Sequence, residues 1–437
     1  MKMSKLRLII TLSMVILVTF VLSACNSDSD NESTQQSNQS NEESLFWLQA
    51  RSGNDDILGS IEEIAVEFQK DHPDFELEID GTGDRPAYLQ QLRTLIAGNK
   101  MPDMFDTDPD AFAKRLVEND DLVNIGEFLE EEELYDDFIP EALAYQQFDD
   151  GNIYTLPIEY NMEMFFYNKE IFEEYSLSPP TTFEELLTVS EELKENDVTP
   201  IAMGGVDKWP VLRYLAFIPF RETGNDFLNQ LTSGEASMSD SVGLEAAEFV
   251  QEIGQYFQEG FSSTDYTTAR QLFSSGQTAM YYMGSWETMN ILNDGMNEEN
   301  LDYFTLPMIS STEAATAQNE YFTHSGIGLA FNKNTFNETS EEFLKYLIER
   351  YPEIYSETGQ FSPIAHDNEN FKTSLHEKIN KDMQSYGEDI AFPWDTRLDP
   401  ASNEAFGNEI ILLADGTISP EEFVNNMDQI LQENIQN

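Results

Sequence analysis

Leu45-Phe46-Trp47-Leu48, then polar Gln49-Ala50-Arg51-Ser52-Gly53-Asn54, then Ile57, Ile61, Ile64, Ala65 and Phe68, then Phe75 to Ile79: this stretch decides the fold. Four apolar residues predict a short strand, and the next five stand at helical spacing. That helix should stop near His72-Pro73, and the alternation from Phe75 to Ile79 predicts a second strand before the turn Gly81-Thr82-Gly83-Asp84. A second helix fits Pro86 to Ala97 and ends at Gly98, and Met104-Phe105 forms a brief strand after Pro102-Asp103. Strand and helix alternate, which argues for an α/β fold with largely parallel strands.

Working outward, Asn152 to Pro157 and Met164 to Asn168 read as strands separated by Ile158-Glu159-Tyr160-Asn161. Pro179-Pro180-Thr181-Thr182-Phe183-Glu184-Glu185 opens a helix, with Thr182 and Glu185 spaced as a capping box. Later helices are expected at Gly243 to Glu259, Thr268 to Ser274, Ser340 to Tyr351 and Pro420 to Asn434. The roughly 390 residues after Ser44 exceed what one hydrophobic core usually serves, so two lobes are expected.

The chain begins with a short basic segment carrying Lys2, Lys5 and Arg7, followed by an almost wholly apolar run from Leu8 to Leu22. That run is about 15 residues, short of the ~20 that a spanning helix needs. Cys25 is the one cysteine, so disulfides and multi-cysteine metal sites within the chain are excluded. Leu22-Ser23-Ala24-Cys25 resembles the lipobox of bacterial lipoproteins, which implies a signal peptide over 1–24 and a lipidated Cys25. Two acyl chains would supply the double signal that stable anchoring requires. Asn26 to Ser44 has no hydrophobic residue, so 25–44 is expected to be a lipidated cysteine followed by a disordered linker.

The whole chain has 82 Asp and Glu against 23 Lys and Arg, a formal charge of −59. So acidic a protein should avoid nucleic acid and anionic lipid surfaces. The acids are dispersed, at Glu130 to Glu133, Asp136-Asp137, Glu173-Glu174 and Glu191-Glu192 among others, as on a solvated surface suited to saline or alkaline surroundings.

Catalytic signatures are lacking: there is no Gly-x-Ser-x-Gly elbow, no phosphate-binding glycine loop and no His-Glu-x-x-His pair. Of the four histidines, at 72, 324, 366 and 376, none stands at a helical ligand spacing from another. Asp106-Thr107-Asp108-Pro109-Asp110 superficially matches a calcium loop but lacks its glycine and distant glutamate. No cofactor or metal is expected. The four tryptophans, Trp47, Trp209, Trp286 and Trp394, each sit in or beside a polar stretch. Flat rings beside carboxylates and amides suit sugars, whose C–H faces stack on the ring while their hydroxyls bond to planar polar groups.

Several segments carry a resemblance. They are Ala97-Gly98-Asn99-Lys100-Met101-Pro102-Asp103, Asp150-Gly151-Asn152-Ile153-Tyr154-Thr155-Leu156-Pro157 running on to Phe166-Tyr167-Asn168-Lys169, and Pro180-Thr181-Thr182-Phe183-Glu184-Glu185. Phe273-Ser274-Ser275-Gly276-Gln277-Thr278-Ala279-Met280 with Gly284-Ser285-Trp286 completes the set. In this order they resemble the extracellular solute-binding lipoproteins of bacterial ABC transporters, in the sugar-binding family that includes maltose-binding protein. Pro200-Ile201-Ala202-Met203-Gly204 followed by Asp207-Lys208-Trp209 resembles its raffinose and multiple-sugar branch.

The resemblance implies a two-lobed periplasmic-binding-protein fold (type II) with the ligand cleft between the lobes. Segments 45–155 plus about 270–325 would form the N-terminal lobe, and 156–269 plus about 326–437 the C-terminal lobe. It further implies a monomeric receptor, not an enzyme, tethered by Cys25 to the outer face of a Gram-positive cell membrane. Such a receptor would bind an oligosaccharide and deliver it to an ABC permease. Carried over, the cleft would be lined by Trp47, Gln49, Arg51, Asp106, Asp108, Glu159, Tyr160, Asn161, Asp207, Trp209 and Trp286, with Trp394 added on local chemistry. Asp84 and Arg85 are weaker candidates. Two alternatives stay open: a surface-anchored glycoside hydrolase, and the same fold binding a peptide, polyamine or chelated metal.

The charge itself gives a test. Self-repulsion is screened by salt, so the melting temperature should climb steeply as sodium chloride is added. A salt-independent melting temperature would count against an adapted acidic surface.

Overall fold

In the computed structural model the described residues are 44–51, 55–83, 85–148, 150–310, 314–366, 371–385 and 390–435. The expected signal segment, Cys25, the linker up to residue 43 and Asp84 lie outside them. Among the described residues no helix is long and apolar enough to cross a membrane.

The opening stretch folds as its periodicity predicts. β1 (Ser44–Gln49) is followed by a helix over Asp56–Phe68, then β2 (Glu76–Gly81), a helix over Arg85–Ala97, and β3 (Met104–Thr107). Asp55 starts the first helix by accepting the N–H groups of Ile57 and Leu58. β1 lies between β2 and β3, parallel to both. Alternation along β1 sends Leu45 and Trp47 to one face and Phe46 and Leu48 to the other, and a separate apolar cluster covers each face.

A second sheet is built around β4 (Asn161–Asn168), with β5 (Thr199–Ala202), β6 (Thr278–Gly284) and β7 (Leu301–Phe304) in the order β5-β6-β4-β7. Here β4 runs antiparallel to both neighbours and only β5 and β6 are parallel. The expectation of largely parallel strands therefore holds for the first sheet and fails for the second. β8 (Thr323–His324) pairs with the first residues of β4, and β9 (Gly328–Phe331) closes the first sheet against β3. The molecule thus has two lobes, one sheet in each.

The division of the chain between lobes differs from the one expected. Residues 278–304 hydrogen-bond into the second sheet, and 328–331 into the first. The helix Glu338–Glu357 packs on Asp56–Phe68, with Phe343 5.5 Å from Phe68. The chain then returns to the second lobe, where Tyr303 donates to Asp382 at 2.6 Å. The segments 270–325 and 326–357 are therefore exchanged relative to the sequence reading. Short strands buried on both faces carry no periodic mark of their partner, so the motifs located them without saying which sheet they join.

Other expectations shift by a few residues. The four later helices are found at Ser241–Gly254, Tyr266–Ser274, Glu338–Glu357 and Pro420–Ile435. Asn152 to Pro157 makes only isolated bridges, Ile153 to Gln147 and Leu156 to Leu329, and no strand. Thr182 caps its helix by accepting from Glu185 N–H at 3.2 Å, while the Glu185 carboxylate reaches back one residue further, to Thr181 N–H at 2.7 Å.

The chain crosses between lobes near residues 158–161 and 324–328, with 358–366 alongside, and these segments hold one another. Leu156 and Leu329 exchange backbone hydrogen bonds, and Tyr160 N–H donates to Phe361 C=O at 3.0 Å. Asn161 pairs with His324, and the Tyr351 hydroxyl donates to Ile158 C=O at 2.6 Å.

Candidate functional site

The first group of predicted residues lies at the end of β1 and β3, on the first-lobe side of the crossings. Asp106, wholly buried, accepts from Trp47 Nε1 at 3.1 Å and from Ala50 N–H at 2.8 Å. The Arg51 Nε lies 3.4 Å from its carboxylate, and Arg51 Nη2 donates to Ile327 C=O at 3.2 Å. Burial alone would lower the Arg51 pKa, but Asp106, Asp55 and Glu159 outweigh it and hold the guanidinium firmly charged. Gln49 accepts from Arg51 N–H and is buried with it. Trp47 has no exposed surface. It belongs to the core, so the reading of Trp47 as a stacking platform is corrected: the distant Asp106 holds its indole N–H.

Beside this knot, and coupled to it through the charge of Arg51 on Glu159, a hydrogen-bonded chain runs across to the second lobe. Asn161 Nδ2 donates to Glu159 at 2.7 Å, and Ser285 Oγ donates to Asn161 Oδ1 at 2.7 Å. Ser285 directly precedes Trp286. The Glu159 carboxylate lies against Gly326, whose φ of +66° and missing Cβ are both needed there, since a Cβ would fall 1.8 Å from Glu159 Oε1. Tyr160 is buried in the crossing itself.

The second group is built on β4 and the helix Trp209–Thr223. Glu163, on the central strand and wholly buried, receives Arg213 Nε at 2.8 and 3.1 Å. Asp395 takes Arg213 Nη1 from the other side. The guanidinium lies 5.0 Å from the centre of the Trp209 ring. Trp209 is the first residue of its helix, and Lys208 before it adopts φ +64°, which closes a tight turn from Trp209 N–H to Asp207 C=O at 2.7 Å. That left-handed backbone is costly for a lysine and sets the direction in which Trp209 leaves the chain.

Trp286 folds back over Gly284, where a Cβ would meet the ring at 1.6 Å. Its ring centre is 6.5 Å from Trp209 and 4.8 Å from His324, and its Nε1 donates to the Tyr266 hydroxyl at 2.7 Å. Tyr266 lies 6.1 Å from Trp209, and its backbone N–H donates to the exposed Asp207. Trp209, Trp286 and Tyr266 are all partly exposed. His324 Nδ1 accepts from Gly326 N–H at 3.0 Å, which places the ring proton on Nε2, 3.9 Å from Glu163. Burial, with Arg213 adding to it, lowers the His324 pKa to about 3, so the ring beside Trp286 is neutral.

Asp108, half-buried at the end of β3, acts electrostatically on Tyr145, whose hydroxyl pKa is raised first by burial and then by that carboxylate. Arg397 Nη2 donates to Tyr145 C=O at 2.8 Å. Asp110, last of the supposed calcium run, instead caps the helix Ala111–Glu118. Trp394 is buried beside Phe227 and Phe406 and opens a short helix; it is a core residue, and its neighbour Asp395 is the one that reaches the site.

The structure thus brings together Arg51, Asp106, Glu159 and Asn161 as a polar link, and Asp207, Trp209 and Trp286 as an aromatic surface. Sequence reading missed Glu163, Arg213, Tyr266, His324 and Asp395. One signal was available: Glu163 is a lone carboxylate inside the apolar run Met162 to Tyr167, a position tolerated only with a buried partner.

Known proteins resemble the chain in both sequence and fold. The family model for bacterial extracellular solute-binding proteins matches residues 54–350. An uncharacterised ABC transporter extracellular-binding protein of Pyrococcus horikoshii is 24% identical over 300 residues, spanning 67% of each chain. The melibiose/raffinose/stachyose-binding protein MelE of Bacillus subtilis is 22% identical over 204 residues, 45% of this chain and 43% of MelE. A solved chitin oligosaccharide binding protein superposes with a TM-score of 0.79 at 22% identity, over 90% of this chain and 99% of that one.

Glu159 yields a pH test. Burial is the main cause that pushes its carboxyl from the ordinary 4.5 up to about 7; Arg51 and Asn161 oppose the shift, and Asp55 and Asp106 add to it. The folded protein keeps this proton after the unfolded chain has lost it. The contribution to stability is therefore complete below about pH 4.5, fades as pH rises through about 7, and is level beyond. Glu159→Gln cannot ionise, so its melting temperature should fall less than the parent's between about pH 5 and pH 8. Parallel curves across that window would contradict the assignment.

Proposed function

The chain belongs to the bacterial extracellular solute-binding proteins, and from that membership we propose that it captures an oligosaccharide between its lobes and hands it to the permease of an ABC importer. The observation that carries the sugar reading is the aromatic surface. Trp209 stands 6.1 Å from Tyr266 and 6.5 Å from Trp286, whose Nε1 donates to the Tyr266 hydroxyl, and each of the three is partly exposed. Such rings offer stacking faces to a pyranose, and the bordering carboxylates and amides suit its hydroxyls. MelE, named for melibiose, raffinose and stachyose, and the chitin oligosaccharide binding protein support a ligand of more than one sugar unit.

Binding without chemistry fits the carboxylates. Glu163 and Asp395 are both engaged by Arg213, and Asp106 by Trp47, Ala50 and Arg51. A glycoside hydrolase needs a free acid and a second carboxylate facing the scissile bond, and Glu163, Asp395 and Asp106, held in ion pairs, do not supply that pair. The remaining parts of the reading concern location. Lipidation of Cys25 would tether a monomeric receptor by a polar leash to the outer face of a Gram-positive membrane, close to its permease.

The test begins with a thermal-shift panel of raffinose, stachyose, maltotriose and chitotriose, since a bound sugar raises the melting temperature by mass action. For the sugar that stabilises most, Trp286→Ala should weaken binding by roughly thirtyfold or more, the scale of a stacked aromatic anchor, with the ligand-free fold unchanged. An unaltered affinity in that variant would overturn the site.

A further inference from the structure

The Trp286 indole is held by Tyr266, whose ring the sugar reading uses and whose hydroxyl it does not. Its Nε1–H donates to the Tyr266 hydroxyl at 2.7 Å, and that hydroxyl reaches Glu287 Oε1 at 2.5 Å. Glu287 is 2% exposed and is itself steadied by Arg270 Nη1 at 3.3 Å, while Arg270 Nε pairs with Asp294 at 2.7 Å. A tyrosine hydroxyl has one proton and two lone pairs, and an ionised carboxylate can only accept. The indole N–H can only donate, so a lone pair of the hydroxyl faces it and the hydroxyl proton is left to point to Glu287. The direction of the relay is fixed by chemistry: Trp286 gives to Tyr266, and Tyr266 gives to Glu287.

The setting for such a relay comes from the backbone. The absence of a side chain at Gly284 lets the ring lie directly on the backbone there, and the polar edge of the indole is held from elsewhere, by the Tyr266 hydroxyl. The Tyr266 backbone is tied separately, through its N–H to Asp207 at 3.1 Å. The hydroxyl is thus carried on an anchored residue and can act as a fixed point for the indole N–H.

We propose that Tyr266 is a positioning residue of the sugar site, whose hydroxyl, oriented by Glu287, sets the plane of Trp286 before ligand arrives. This rests on the reading of Trp286 as a sugar-stacking residue. A pre-set ring spares the ordering cost of binding, which for one side chain corresponds to roughly three- to tenfold in affinity.

Two measurements test it, one of them without ligand. The four tryptophans give four indole N–H resonances, and Trp286→Phe identifies its own by loss. In Tyr266→Phe that same resonance should move and exchange faster with solvent while the other three stay. Glu287→Leu, which keeps much of the volume and removes the acceptor, should shift it in the same sense, and it covers the case in which Tyr266→Phe does not fold. With sugar, Tyr266→Phe should weaken binding roughly three- to tenfold in the parent and cause no further loss in a Trp286→Phe background, where the relay has no donor. Additive losses would make Tyr266 merely structural, and an unmoved Trp286 resonance would remove the relay; either result overturns the proposal. Failure of the sugar reading would show separately, as a parent protein that responds to no sugar in the panel.

Discussion

A guanidinium buried between two carboxylates sits under the aromatic surface, and much of the site takes its shape from it. Arg213 is 5% exposed, with Glu163 on one side and Asp395 on the other. Desolvating such a group is expensive, and it persists in folded proteins only when its partners meet it with good geometry. Each partner comes from a different part of the second lobe: the central strand β4, the helix Trp209–Thr223 and the short helix Trp394–Arg397. Satisfying one charge therefore fixes three elements, and with them the ring of Trp209 that lies against the guanidinium. The neutral imidazole of His324 beside Trp286 follows from the same arrangement, since Arg213 and burial both disfavour a second positive charge there.

The polar link from Arg51 and Asp106 through Glu159 and Asn161 to Ser285 plays the corresponding part between the lobes. It passes through the crossing near residues 158–161, where the lobes are joined, and ends one residue before Trp286. Gln360, in the segment alongside, donates to Asp56 at 3.1 Å and to Trp286 C=O at 3.5 Å. The backbone carrying Trp286 is thus bonded to these segments on two sides. A ligand that pushes on that ring acts on the same groups that join the lobes.

How much of this was legible in the sequence depended on whether a signal was local. The strand, helix and strand from Leu45 to Ile79 are written in nearest-neighbour periodicity, and they fold as read. Gly284-Ser285-Trp286 and Asp207-Lys208-Trp209 are local motifs, and both tryptophans lie at the aromatic surface. Trp47 and Trp394 share the same kind of polar flanks, yet both are buried: one satisfies its N–H on Asp106, 59 positions away, and the other packs on Phe227 and Phe406. Polar neighbours in sequence say nothing about which side of a residue is walled in by distant chain. Arg213, Tyr266 and Asp395 were missed for the matching reason, because their roles come from partners 50, 20 and 182 positions away. The exchange of segments between lobes is again a long-range fact, set by strand pairing that short buried strands do not announce.

The central claim is that sugar is held between two lobes that close on it, and small-angle X-ray scattering tests it most directly. The protein would be measured alone and with a saturating amount of whichever panel sugar raises its melting temperature. The account predicts a smaller radius of gyration in the sugar-bound sample, with the contraction lost in Trp286→Ala at the same sugar concentration. Saturated binding with a scattering profile identical to that of the free protein would contradict it.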